Sequence, residues 1–344
     1  MSDREADRAP LTYAAAGVDV GAGEKAVAMM RAAVESTHGP QVQGGIGGFA
    51  GLFAFDPSRY RDPVLASSAD GVGTKLLVAQ ALDRHRTVGV DLVAMVVDDL
   101  VVAGAEPLFV LDYLALGRLV PERAAAIVEG VAEGCRRARC ALLGGETAEH
   151  PDAMAPDVYD LAGFGVGVVE RDRMLGPHLV RPGDALLALA SSGLHSNGYS
   201  LVRRVLERAG IGYDQVLPGL GRPLGEELLE PTRIYAPHLV DLLAVGVELH
   251  ALCHVTGGGL PGNLPRSLPS GLVGRVDWSS WTVPPIFRLI GELGPVRDDE
   301  LARATNLGIG MVAVLPAEEV ERASAFLTAR GLPAWVLGEV SAAG

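Results

Sequence analysis

A short apolar run, then a turn rich in glycine or acid, then a helical stretch: this order recurs along the chain and constrains its fold more than any other feature. Pro63–Ala69 is bounded by Pro63 and by Asp70-Gly71 and reads as a strand. Leu76–Leu82 begins a helix, and Asp91–Ala103 is a long apolar helix carrying acids. Leu108–Ala115 reads as a strand, Pro121–Arg137 as a helix with proline in its first turn, Ala141–Leu143 as a short strand ending at Gly144-Gly145, and Ala162–Val169 as a strand of small residues. Arg171–Pro182, with Gly176-Pro177 and Pro182-Gly183, breaks the pattern. It resumes with a strand at Ala185–Ala190, a helix at Tyr199–Arg208, strands at His250–Val255 and Gly310–Leu315, a helix at Glu318–Ala329 and a last strand around Trp335–Val340. The expectation is an α/β (α+β) protein of two domains, 13–172 and 173–344, after a mobile lead-in at 1–12. Polar residues gather where strands end. Such turns suit phosphate, because they present free N–H groups and the positive end of a helix dipole.

Composition narrows the partners. A chain of 344 residues has room for two cores. Its net charge of −13, with no Lys/Arg stripe, argues against nucleic acid as a partner. An anionic substrate then needs a local positive site inside a repelling field. Cys135, Cys140 and Cys253 are too few and too irregular for a disulfide framework or a zinc site, and read as buried thiols. The polar start MSDREADRAP lacks the apolar core of a signal peptide, and no apolar run is long enough to cross a bilayer, so a cytoplasmic location with no membrane partner is expected. Only two lysines occur, Lys25 and Lys75.

Gly45-Ile46-Gly47-Gly48-Phe49-Ala50 mimics a dinucleotide fingerprint, but no buried strand precedes it, and no P-loop motif occurs anywhere. Asp70-Gly71-Val72-Gly73-Thr74-Lys75 follows a strand. It admits a magnesium and phosphate site, with Asp70 on the metal and Lys75 on phosphate, or a turn with a capping acid. Asp98-Asp99 sits in an apolar helix, where acids are costly unless paired, metal-bound or facing water. Glu146 follows a strand and a double glycine, and reads as a third carboxylate or as a turn cap before Thr147. Ser191–Tyr199 brings hydroxyls, an amide and His195 to a helix start, suiting a phosphate or a structural histidine. Thr256-Gly257-Gly258-Gly259 is a phosphate cradle or a plain turn.

Taken together and in order, these segments resemble the aminoimidazole ribonucleotide synthetase family, with Tyr13-x-x-Ala16-Gly17-Val18-Asp19, Gly104-Ala105-Glu106-Pro107 and Asn306-x-Gly308-Ile309-Gly310-Met311 completing the match from about Leu11 to Val340. The resemblance implies ATP- and magnesium-dependent closure of formylglycinamidine ribonucleotide to aminoimidazole ribonucleotide in purine synthesis, through an iminophosphate. It implies an N-terminal mixed sheet with helices on one face, joined across a homodimer into a shared β-barrel near the ATP sites, and a C-terminal α/β domain. It places magnesium on Asp70, Asp99 and Glu146; ATP phosphates on Gly45, Gly47, Gly48, Gly71, Gly73, Thr74, Lys75 and Thr147; substrate on Ser196, Asn197, Thr256, Gly257 and Gly258; and catalysis on His195 and Lys75. The family usually reads Asn-Asp where this chain has Asp98-Asp99, so the ligand role goes to Asp99. Two related enzymes fit less well: the resemblance to thiamine-phosphate kinase calls for Gly-Asp-Asp at Gly47-Gly48, and that to selenophosphate synthetase for an early reactive cysteine, whereas the first here is Cys135.

Overall fold

The structure, a computed structural model, describes residues 12, 13 and 15–343. Of the expected lead-in only Thr12 falls among them. The described residues build two main sheets, each with its own helices, and one two-stranded ladder.

The first sheet runs β3 (Pro63–Gly71), β6 (Tyr159–Glu170), β4 (Glu106–Leu116), β5 (Ala141–Glu149), with β4 and β5 parallel and the other pairs antiparallel. Before it come helix α1 (Val20–Glu35) and a two-residue ladder, β1 (Val42–Gln43) with β2 (Leu52–Phe53). Short α2 (Leu76–Leu82) leads into α3 (Arg86–Val102), and α4 (Pro121–Ala138) joins β4 to β5, as a parallel pair requires. Helix α3 lies on one sheet face, where glycines admit it: a Cβ at Gly163 or Gly165 would press on Leu92, Val96 and Leu100. No helix among the described residues covers the opposite face. Leu65, Tyr113 and Phe164 stand open there at 65%, 42% and 42% exposure.

Helices α3 and α4 touch backbone to backbone. A Cβ on Gly130 would lie 1.8 Å from the Arg86 carbonyl oxygen, and one on Gly89 2.3 Å from the Val131 nitrogen. Asp112 on β4 is buried on the helix-covered face, and burial pushes its carboxyl up to about 7.

Between β6 and β7 (Ala185–Ala190) the chain makes only 3-10 turns. The second sheet, ordered β8 (Ala251–His254), β10 (Ile309–Leu315), β7, β11 (Ala334–Ala342), β9 (Leu272–Val276), is antiparallel throughout. Its helices are α5 (Tyr199–Ala209), α6 (Leu224–Leu228), α7 (Ala236–Ala244), α8 (Gly259–Asn263), α9 (Pro285–Leu293), α10 (Asp298–Ala304) and α11 (Val320–Thr328). One large hydrophobic cluster runs from Val72, Leu76 and Val93 into Leu187, Tyr199 and Tyr235, so the two halves share a core. Cys135, Cys140 and Cys253 are free and buried, and no helix among the described residues is long and apolar enough to cross a membrane.

One strand differs from expectation. β5 does not stop before Gly144-Gly145 but runs through them to Glu149, since Gly144 and Gly145 pair with Leu111 and Asp112. A Cβ on Gly145 would meet Asp112 Oδ1 at 1.9 Å, so these glycines are strand residues that make room for a neighbour.

Two outcomes follow from this packing. Gly130→Ala should destabilise by about 1–3 kcal/mol despite its better helix propensity, read by urea denaturation. Asp112 binds a proton in the folded chain between about pH 4 and 7 that the unfolded chain releases, so its contribution to stability falls as pH rises through that window and is flat above it. Asp112→Asn should therefore gain stability relative to the parent at pH 8 and little at pH 5.

Candidate active site

Helix α3 carries Asp91 and Asp98 seven residues apart, two turns along one face, and both side chains are fully buried. Each receives backbone N–H groups from the segment that enters α7. Asp91 Oδ1 accepts from Thr232 N at 2.7 Å and Thr232 Oγ1 at 2.6 Å; Asp98 Oδ1 accepts from Tyr235 N and Ala236 N, both at 2.8 Å. Asp98 thus caps α7 from across the two halves, satisfying donors that a helix start leaves free. Burial pushes its carboxyl up to about 7, against the pull of His254 and of the two backbone donors.

Lys75 completes this joint. Its ammonium is fully buried and donates to Asp91 Oδ1 at 2.9 Å, the His195 carbonyl at 3.0 Å and the Glu230 carbonyl at 2.6 Å. Burial lowers its pKa and the Asp91 charge opposes that. An ammonium has three donors, and all three are committed. In this arrangement the cation ties the 70–75 turn to the 195 loop.

His195 stands at the head of that loop, 2% exposed, with a left-handed φ of 60°. Its Nε2 accepts the Ser192 N–H at 3.1 Å, which assigns the ring proton to Nδ1, and Nδ1 is buried without a partner. Burial holds its pKa well below the usual histidine range, reinforced by His254, Lys75 and Arg233. The ring is a neutral N–H donor. Ser196 lies beside Thr232, hydroxyl to hydroxyl at 3.1 Å, and because Thr232 Oγ1 gives its proton to Asp91, Ser196 is the donor. The expected substrate contact of Ser196 through its own proton is thus replaced by an internal bond. Asn197 faces the second glycine loop: a Cβ on Gly257 would lie 3.5 Å from Asn197 Oδ1. Asn263 pins that loop by donating to the carbonyls of Thr256, Gly257 and Gly259. Gly257 and Gly258 are exposed, and Gly259 has φ 60° with the Ala302 carbonyl 1.8 Å from any Cβ.

Across from these loops lie Asp70 and Asp99. Asp70 ends β3 on the helix-covered face; its carboxyl is held above the usual range by burial and by the Asp99 charge. Asp99 is 45% exposed, and His254 Nδ1 donates to its Oδ1 at 2.9 Å. Gly73 and Thr74 adjoin the second half, Thr74 Oγ1 lying 3.0 Å from Ser200 Oγ.

The remaining expected residues lie elsewhere. Gly71, Ala162, Tyr113 and Glu146 form one row across the sheet. Three inter-strand gaps put Glu146 roughly 14 Å from the Asp70 end. Alternation sends Asp70 to the helix-covered face and Glu146 to the open one. Among the described residues no three His, Cys, Asp or Glu side chains are grouped to hold a metal ion. Asp70, Asp99 and Glu146, the expected magnesium ligands, therefore do not meet within one chain. Thr147 lines a cleft of about 520 Å³ at the same β5 edge, with Asp19, Arg31 and Glu149. The Gly45–Gly48 loop is exposed, with open space around Gly45 and Gly47, and its return past Gly51 presses on Leu143 of β5. The expected site residues therefore fall into two groups within one chain: Asp70, Gly71, Gly73, Thr74 and Asp99 with the C-terminal loops, and Gly45, Gly47, Gly48, Glu146 and Thr147 at the opposite edge.

Sequence reasoning missed Asp91, Thr232, Arg233 and His254. A lone acid in an apolar helix is itself a signal, and Asp91 carried it as clearly as Asp98; the other three acquire meaning only from the partner they meet.

Comparison with known proteins shows the family to which the chain belongs. Residues 55–169 match the family model "AIR synthase related protein, N-terminal domain" and residues 181–344 "AIR synthase related protein, C-terminal domain". The phosphoribosylformylglycinamidine cyclo-ligase of Geotalea daltonii is 50% identical over 97% of this chain and 96% of its own. That of Thermosynechococcus vestitus is 52% identical over 96% and 97%. Among solved structures, thiamine-monophosphate kinase from Stenotrophomonas maltophilia shares the fold at a TM-score of 0.67 and 21% identity, over 93% of this chain and 94% of that one. Hydrogenase maturation protein HypE in complex with ATP does so at 0.63 and 20%, over 94% and 87%.

The joint gives a direct expectation. Lys75→Met strands the Asp91 charge in the core and should cost about 3–5 kcal/mol in urea denaturation, part of it recovered by adding Asp91→Asn. A loss below about 1 kcal/mol would contradict the network.

Proposed function

Because the chain belongs to the AIR synthase related family and is about half identical, over nearly its full length, to phosphoribosylformylglycinamidine cyclo-ligases, we propose that it closes formylglycinamidine ribonucleotide to aminoimidazole ribonucleotide with ATP, in purine synthesis. The observation that carries this reading is the pairing of acids with nitrogen donors across one cleft. Asp70 and Asp99 suit a hard cation on one side, and His195 with the 256–258 loop suits oxyanions on the other.

The donor set fits magnesium: Asp70 and Asp99 are neighbouring oxygen donors, the Asp70 carboxyl is held above its ordinary range by burial first and by the Asp99 charge second, and a bound cation would relieve that repulsion. When bound there, magnesium neutralises charge on the β- and γ-phosphates. The third acid, Glu146, comes from a second copy. Two four-stranded sheets packing their open faces form a shared eight-stranded barrel, with the β5 edge of one copy beside the β3 edge of the other. That arrangement covers Leu65, Tyr113 and Phe164 and unites the two half-sites, bringing Gly45, Gly47, Gly48 and Thr147 to the nucleotide phosphates.

The chemistry then runs as follows. The formamide oxygen attacks the γ-phosphorus, ADP leaves and the formamide N–H proton is released, giving an iminophosphate. The ribonucleotide's own nitrogen attacks the formyl carbon, the nitrogen loses a proton, and phosphate departs with the former formyl oxygen. His195, neutral at physiological pH, offers Nδ1–H to the oxygen on which charge develops; one such preorganised donor is worth about 3–4 kcal/mol of barrier. Asn197 and the backbone of Thr256, Gly257 and Gly258 hold the ribonucleotide. Lys75 serves by fixing the His195 carbonyl, hence the ring.

The test is ADP release by the purified protein with ATP and Mg²⁺, with and without formylglycinamidine ribonucleotide, while aminoimidazole ribonucleotide is assayed through its diazotisable amine. Substrate-dependent ADP matched mole for mole by the amine is expected. ADP that ignores the substrate, or none at all, would overturn the reading.

A further inference from the structure

Four buried side-chain nitrogens without a hydrogen-bond partner lie on the 195 loop, on the segment bonded to it through Thr232 and Ser196, and on the histidine that meets Asp99: His195 Nδ1, Asn197 Nδ2, Arg233 Nε and His254 Nε2. Three are accounted for by the expected loops or by the Asp99 contact. Arg233 is not. It sits between two anchored residues: Thr232, bonded to Asp91 and to Ser196, and Tyr235, whose backbone is held by Asp98. The segment is therefore immobile where Arg233 projects from it.

Arg233 is half-buried, and among the described residues its guanidinium has neither a carboxylate nor a carbonyl partner. A chain of net charge −13 has carboxylates in excess, and two of its three other partly covered arginines use them: Arg222 meets Glu227 at 2.7 Å and Glu230 at 2.5 Å, and Arg123 lies 3.5 Å from Asp157, whereas Arg203 makes no such pair among the described residues. Removing a cation from water without a counter-ion is unfavourable, so an unpaired one beside a cleft implies an anion that is brought to it. The planar fork matches two phosphoryl oxygens at once. The charge of Arg233 also bears on His195, helping to keep that ring neutral.

We propose that Arg233 is an anion-binding residue of this cleft, holding a phosphoryl group beside His195 and Asn197. Only the identity of the ligand, as the phosphate of the ribonucleotide or of ATP, rests on the ligase reading above; the site itself rests on the unpaired cation.

The experiment uses the full-length protein with Arg233→Gln and Arg233→Lys. The first readout is thermal stability with and without inorganic phosphate. Phosphate should raise the Tm of the parent, raise that of Arg233→Lys less, and leave Arg233→Gln unmoved. Without phosphate, Arg233→Gln should melt at or above the parent, since an unpaired cation has been removed; a purely structural arginine would show the opposite. The second readout is kinetic. Arg233→Gln should lose about 100-fold in kcat/KM, with partial rescue by Arg233→Lys. A rise confined to the KM of the ribonucleotide assigns its phosphate, a rise confined to that of ATP assigns the nucleotide, and a fall in kcat alone assigns the group in transfer. A parent that does not turn over the ribonucleotide but whose phosphate response vanishes in Arg233→Gln would remove the ligase reading and keep the anion site. A parental phosphate response and kcat/KM in Arg233→Gln, or a lowered Tm with unchanged kinetics, would overturn the inference.

Discussion

Two buried acids on one apolar helix hold this molecule together. Asp91 and Asp98 project from the same face of α3, and each takes two donors from the far half of the chain. A buried carboxylate is costly in an apolar surrounding, and only good donors make it tolerable. The two halves must therefore dock in one register, because any slip leaves a charge and several backbone N–H groups unsatisfied. Lys75 adds the third fixed point, and through its bond to the His195 carbonyl the joint reaches the loop where chemistry is proposed. The cleft is rigid because its floor is the joint.

The same geometry explains why one chain holds the expected residues in two groups. A four-stranded sheet is wide, and the faces of its strands alternate, so residues at β3 and at β5 cannot meet around it. The open face, with Leu65, Tyr113 and Phe164 exposed and no helix over it, is where a second copy would join the groups. The protein's −13 charge fits this picture too: nitrogen donors are concentrated on one wall of the cleft, inside an otherwise repelling surface.

Much of the fold was legible because local signals were strong. Ala185–Ala190 is a strand over the span its uninterrupted apolar run indicates, and the α3 and α4 helices differ from the sequence reading only in their ends. The failures have physical causes. Gly144-Gly145 looked like a strand end, yet the glycines are required inside β5 by the Asp112 side chain folded against them, a neighbour from another strand. The strand–turn–helix rhythm left strand direction open; the second sheet is antiparallel throughout. Asp98-Asp99 could be split by departure from a family pattern, but that Asp98 caps a helix some 140 residues later in the chain was invisible, because a cap across domains leaves no local trace. For Lys75 the sequence left open a phosphate contact or a plain turn, because its three carbonyl and carboxylate partners lie 16, 120 and 155 residues away.

The most direct test of the divided site is complementation between two inactive chains. Asp70→Asn disables one half-site and Glu146→Gln the other, while the joint is untouched in both. Differently tagged copies, co-expressed and purified as the mixed pair, should carry one intact site and one doubly disabled site, and so recover about half the activity per dimer that the parent shows. Mixed pairs as inactive as either variant alone, or a parent that is fully active as a monomer, would contradict a site built from two copies.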